Sequence, residues 1–218
     1  MNEQESWHQH VRSQHREELI GAGQQLFMQR NFPDIRVNDI CKLAGMSRVT
    51  FYKHFNDINE VVFEVQMRIL THMTDWLVAA DRPERTGYER LKAILHSWVD
   101  YARQHGNELR FIVLFDLYYD GMPINDELRQ RYEQFVYDGQ KSGFLLHPLQ
   151  AGIADGSLFA ELDPDRAGTL IFQTIMGVLQ RLILSNHHYR FQSNALDEMD
   201  LPVITMLLHY VASSPDAR

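Results

Sequence analysis

The sequence predicts an all-α protein, and three observations carry that prediction. Apolar residues recur at helical spacing along most of the 218-residue chain. No alternating apolar and polar run is long enough for a sheet. Turn signals at Asn31–Pro33, Gly45, Asp81-Arg82-Pro83, Asp120-Gly121-Met122-Pro123 and Asp155-Gly156 divide the chain into helix-length segments.

In order, Leu19, Ala22, Gly23, Leu26 and Phe27 form one face of a helix from about Ser13 to Arg30. A short helix fits Val37–Ala44, with Val37, Ile40, Cys41 and Ala44 on one side and Gly45 as its left-handed stop. Ser47 is an N-cap for a second short helix reaching about His54, and Asp57 caps a long one from Ile58 to about Ala80. Further helices are expected at about 84–105 and 108–119. Asn125 is expected to cap one long helix to about Asp155, kinked by Gly139, Gly143 and Pro148. Asp163-Pro164 opens a helix to about Ser185, His187–Met199 reads as a loop, and Pro202–Ser213 forms the last helix.

With 44% apolar residues the chain can bury a substantial core. Cys41, the single cysteine, makes neither an internal disulfide nor a multi-cysteine zinc site, and is expected to be a small buried hydrophobe. The polar stretch Met1–His10 lacks the apolar core of a secretory signal. The uncharged stretch Ala167–Gln180 is too short to span a bilayer. These features predict a cytoplasmic protein with no membrane partner.

The net charge of −8 argues against nucleic acid only as a whole-chain average. Between positions 36 and 53, Arg36, Lys42, Arg48 and Lys53 face a single carboxylate, Asp39, with His54 adjacent. A local basic cluster of this kind is what meets phosphate. It lies on Val37–Phe55, where two short helices joined at Ala44-Gly45-Met46-Ser47 make a helix-turn-helix. Met46 and Ile40 are expected between the helices, Phe51 and Phe55 inward, and Val49, Thr50, Lys53 and His54 outward. Arg48, at the end of the helix that enters the major groove, suits guanine edges. Thr50 suits a base or phosphate, and Tyr52, Lys53 and His54 suit phosphate.

Leu19–Phe32 followed by Val37–Phe55, above all Ala44-Gly45-Met46-Ser47 and Thr50-Phe51-Tyr52-Lys53-His54-Phe55, resembles the DNA-binding domain of the tetracycline-repressor (TetR/AcrR) family. The resemblance implies a three-helix DNA-binding domain over 1–57 and a helical ligand-binding and dimerisation domain over 58–218. It further implies a homodimer joined through the last two helices, operator DNA as partner, and a small-molecule effector. The expected DNA-binding residues are Arg36, Asn38, Arg48, Val49, Thr50, Tyr52, Lys53 and His54. Arg36 stands where the family usually has a capping Thr or Ser, Asn31 replaces a common glycine, Cys41 an alanine, and Ile58 a phosphate-binding lysine.

The aromatics of the middle helices fit an apolar pocket between helices: Trp98, Tyr101, Phe111, Phe115, Tyr118, Phe135 and Phe172, with Gln173 and Met176. Core packing explains the same spacing. Neither His8/His10/His15 nor His187-His188 has the spacing of a metal set, so neither a metal nor a cofactor is expected. Nucleophile-elbow, phosphate-loop and zinc-protease motifs are absent from the sequence. An enzyme or a helical interaction module without DNA binding would leave the exposed Arg48, Lys53 and His54 without a role.

Overall fold

The computed structural model describes the backbone of residues 3–122, 124–137, 139–185 and 202–212, with the side chains of 3–9, 137, 139–142 and 185 excepted. Ten α-helices occur among them: α1 (Glu3–Gln29), α2 (Val37–Ala44), α3 (Arg48–Phe51), α4 (Ile58–Val78), α5 (Gly87–Gln104), α6 (Gly106–Tyr119), α7 (Asp126–Tyr137), α8 (Gly139–Asp155), α9 (Pro164–Ser185) and α10 (Pro202–Val211). No strand occurs among the described residues, where the only β-type contact is an isolated bridge between Leu158 and Ala212. The all-α reading therefore holds. The expected loop at His187–Met199 lies outside the described residues.

Helix ends follow the cap residues. Asp57 Oδ1 accepts from Glu60 N at 3.2 Å, Asn125 Oδ1 from Glu127 N at 2.8 Å, and Asp163 Oδ1 from Asp165 N and Arg166 N. Each satisfies N–H groups that a helix start leaves unpaired. One cap was not foreseen: Thr86 and Glu89 form a reciprocal box, so α5 starts at Gly87 rather than near Glu84. Within the single kinked helix expected over 125–155, residues 126–137 (α7) and 139–155 (α8) are helical, and residue 138 between them lies outside the described residues. Pro148 is accommodated inside α8.

The chain groups into two compact units. The first comprises residues 1–70 and 114–133. In it α1 packs on α2, and Leu19, Ile20, Phe27, Ile40, Cys41, Phe51, Phe55 and Val61 are buried. Phe63 of α4 lies edge-on to Phe115, Tyr119 and Tyr132, with ring centroids 4.8–5.3 Å apart. Tyr119 donates to Asn59 Oδ1 at 2.8 Å.

The second unit comprises residues 71–113 and 134–218. Here α5 lies against α8 so closely that a Cβ on Gly87 would fall 2.0 Å from Gly152 N. Only glycine at position 87 permits that approach. The contact lets Asp155 Oδ2 accept from Gly87 N at 2.8 Å, and Ser157 Oγ from Tyr88 N at 3.1 Å.

α9 and α10 also pack on α5. Residues 164–184 of α9 are long and apolar enough to cross a membrane once its flanking charges are included, so the length argument from 167–180 alone does not exclude a span. Ile171, Ile175 and Leu179 of that helix are nevertheless fully buried in the protein's own core. Ile204, Leu207, Leu208 and Val211 of α10 are buried likewise. The apolar residues that remain uncovered on these helices are Leu170, Phe172, Leu184, Met206 and Tyr210.

Candidate nucleic-acid interface

α2 and α3 meet at a turn whose geometry the sequence dictates locally. Gly45 adopts φ 66°, ψ 27°, and its N–H reaches back to Cys41 and Lys42 carbonyls. This left-handed conformation suits glycine because a Cβ would clash with the backbone. Ser47 then caps α3: its Oγ accepts from Thr50 N at 3.0 Å and lies 3.0 Å from Thr50 Oγ1. Thr50 is thereby half-buried and engaged with its own cap.

α2 lacks a capping hydroxyl at Arg36, and the replacement comes from inside the helix. Asp39 Oδ2 accepts from Arg36 N at 2.9 Å, which pairs a helix-start N–H and leaves the Arg36 side chain exposed. Asn38 is exposed on the same short helix.

Below the turn, Phe51 is fully buried and Phe55 nearly so, their rings 5.4 Å apart. Ile40 is fully buried, while Met46 is only half-buried. Above it, Arg48, Val49, Tyr52 and Lys53 are exposed, Val49 to 70%. The Arg48 guanidinium lies 5.9 Å from the Tyr52 ring centroid, a cation–π contact that holds the arginine along the surface. Cationic groups of α1 gather behind this helix. Arg12 reaches the Lys53 carbonyl at 3.5 Å, Arg16 lies over the Phe55 ring at 5.3 Å, and His15 lies edge-on to His54 at 6.3 Å. Desolvation, and then the positive charges of Arg12, His15, Arg16 and Lys53, hold the His54 pKa below the ordinary histidine value. Sequence reasoning missed this contribution from α1, because it depends on how α1 packs beside α3.

Exposed cations and one apolar residue on a capped helix, over a buried aromatic floor, are the elements of a groove-entering recognition helix. Residues 19–65 match the family model described as bacterial regulatory proteins, tetR family. This segment, 47 of the 218 residues, is similar to that family. The α2–turn–α3 motif lies within it. Among similar proteins, the HTH-type transcriptional regulator TtgR of Pseudomonas putida is 28% identical over 178 residues, covering 78% of this chain and 80% of TtgR. The nucleoid occlusion factor SlmA of Actinobacillus pleuropneumoniae is 25% identical over 150 residues, 69% of this chain and 71% of SlmA. The transcriptional regulator FadR from Bacillus subtilis in complex with stearoyl-CoA shares the fold at TM-score 0.65 and 18% identity, covering 88% of this chain and 97% of that one.

The nine residues expected around an effector are distributed over both units. Phe115 and Tyr118 lie in the first. Phe115 is buried and lines a cavity of about 790 Å³ with Phe63, Tyr119, Tyr132, Asp116 and Arg129, while Tyr118 is exposed. In the second unit, Trp98, Tyr101 and Phe111 are buried, as is Met176; Phe135 is half-buried; Phe172 and Gln173 are exposed. Tyr101 is committed to a hydrogen bond that its hydroxyl donates to Glu108. Trp98 differs: its ring sits 5.5 Å from Phe144 and 5.6 Å from Phe172, and its buried Nε1–H has no hydrogen-bond partner among the described residues.

Proposed function

We propose that this regulator is a homodimeric repressor that leaves its operator when a small apolar or aromatic effector binds. The exposed face of α3, supported from beneath by Phe51 and Phe55, carries the DNA half of the reading. Arg48 reads guanine edges and Val49 contacts a thymine methyl; Thr50, Tyr52, Lys53 and His54 hold phosphates, joined by Arg36 and Asn38 from α2. Residues 1–57 serve as the DNA-binding domain and 58–218 as the effector and dimerisation domain, in the cytoplasm. α9 and α10 supply the dimer interface, which the uncovered Leu170, Phe172, Leu184, Met206 and Tyr210 support.

The effector half rests on Trp98. A buried indole N–H without an acceptor costs stability, and a ligand acceptor beside Phe144 and Phe172 would satisfy it. The stearoyl-CoA of the B. subtilis FadR structure is an apolar-chain ligand on the same fold.

Selection of bound fragments from random duplex DNA tests the first half. The expected product carries two half-sites about 34–36 Å apart, matching two recognition helices of a dimer. Failure to enrich any sequence would overturn it. A thermal-shift screen with apolar aromatics and acyl chains tests the second. By linkage a true effector binds the operator complex more weakly than the free dimer, and Trp98→Phe weakens it. Hits that leave operator affinity unchanged would overturn the effector reading.

A further inference from the structure

Away from the DNA-binding face, α4, α5 and α6 bring three metal-ligating side chains together. His72 lies on α4, His105 is the residue that ends α5, and Glu108 is in the first turn of α6. His72 Nδ1 is 3.0 Å from Glu108 Oε2 and His105 Nδ1 is 3.9 Å from Glu108 Oε1. A ligand atom from each of the three lies within 4.8 Å of those of the other two. Sequence spacing gave no sign of this set, since His72 and His105 belong to different helices.

We propose that His72, His105 and Glu108 form a binding site for a borderline divalent transition metal of the Zn²⁺ type. Two imidazoles and one carboxylate are a donor set that Zn²⁺ accepts, leaving a fourth position for water or an external ligand. Bonds of about 2.0–2.1 Å around a tetrahedral ion put neighbouring ligand atoms roughly 3.3–3.4 Å apart. His72 Nδ1 at 3.0 Å from Oε2 and His105 Nδ1 at 3.9 Å from Oε1 are each near that value, measured to different oxygens of the one carboxylate.

The surroundings are those of a built site. Glu108 is largely covered, its side chain 15% exposed, and the Tyr101 hydroxyl donates to Oε2, which orients the carboxylate and keeps it an acceptor. Such outer hydrogen bonds fix metal ligands in place. The Tyr101 and Trp76 rings lie 4.8 and 5.3 Å from the His105 ring, and Trp76 is itself anchored by donating to Ser97 O. His72 and His105 stand edge-to-face at 4.7 Å, both turned toward one carboxylate. A structural ion pair needs one imidazole there; a second converging on the same group is what a metal uses. The ion would tie α4 to the α5–α6 corner.

The test uses the full chain without a polyhistidine tag, stripped with chelator and titrated with Zn²⁺ by calorimetry and with Co²⁺ by visible absorption. One equivalent is expected, with the intense visible bands of four-coordinate Co²⁺. Glu108→Gln and His72→Ala should each weaken binding at least about tenfold and abolish those bands; the half-exposed His72 can be lost without unfolding the protein. Removing His187 and His188 together should change neither. Equal Zn²⁺ affinity in wild type, Glu108→Gln and His72→Ala would overturn the site, as would loss of the equivalent only on removing His187 and His188. Binding should also weaken as pH falls through the imidazole range, because the ligands must be unprotonated.

Discussion

The exposed face of α3 and the exposed faces of α9 and α10 are built from opposite chemistry. Around α3 the uncovered side chains are Arg48, Tyr52 and Lys53 with one apolar residue, Val49, and the large apolar groups lie underneath. On α9 and α10 the uncovered side chains include Leu170, Phe172, Leu184, Met206 and Tyr210, while a full apolar core is already satisfied behind them. A charged face keeps its water until a polyanion displaces counterions. Exposed apolar side chains on two neighbouring helices are what a protein partner would cover. The chain thus exposes cations around one helix and apolar side chains on two others. Ile175 and Leu208 sharpen the point: both are buried within the protomer, so charges placed there should unfold the domain rather than separate a dimer.

The comparison can be broken most forcefully from below the DNA-binding face. Phe51→Ala removes a fully buried ring from the helix-turn-helix and should cost about 3–5 kcal/mol. Urea unfolding should register that loss, and operator binding should vanish with it. Unchanged stability would mean that α3 does not depend on its aromatic floor.

Next in size is the apolar face. Leu170→Glu combined with Met206→Glu places charges at positions 45% and 57% exposed, so the protomer should remain folded. Sedimentation should then show a monomer, and operator affinity should fall by about 10²–10⁴ as two-site binding is lost. A folded dimer would move the interface elsewhere.

Within the DNA-binding face itself, Arg48→Ala should cost roughly 1–3 kcal/mol on operator and little on scrambled DNA, as expected for a base contact. Lys53→Ala should weaken both equally and lower the salt slope by about one. Titrations at several salt concentrations distinguish them, and equal losses on both DNAs for both variants would cancel the assigned roles.

The smallest effect concerns pH. Burial and neighbouring positive charge lower the His54 pKa in the folded protein, so the unfolded chain binds the proton more readily. The neutral-His54 contribution to stability is therefore present above the ordinary histidine value near 6.5 and lost as pH falls through the folded value. A DNA phosphate reverses the sign locally by favouring the imidazolium. Operator affinity should rise as pH falls through the same range, by at most about tenfold for one pKa unit. His54→Gln should flatten both profiles; an unaltered affinity profile would remove His54 from the phosphate contacts.

The sequence by itself determined the features whose cause spans a few residues. The α2–turn–α3 motif, Gly45 in its left-handed stop, Ser47 capping α3, and the caps at Asp57, Asn125 and Asp163 all follow from interactions within one turn of chain. The outward cations of α3 and the inward Phe51 and Phe55 follow from helical periodicity in the same way. Tertiary structure decided what depends on distant segments meeting. Periodicity marks a side chain as apolar but does not say which surface covers it, so Ile175 and Leu170 look alike in sequence, yet one is core and the other uncovered. The close approach of Gly87 to Gly152, the cationic support that α1 brings to α3, the orphaned Trp98 N–H and the convergence of His72 and His105 on Glu108 are all of this kind. Each joins residues far apart in the chain, and the energy that brings them together is that of packing whole helices, which no local pattern encodes.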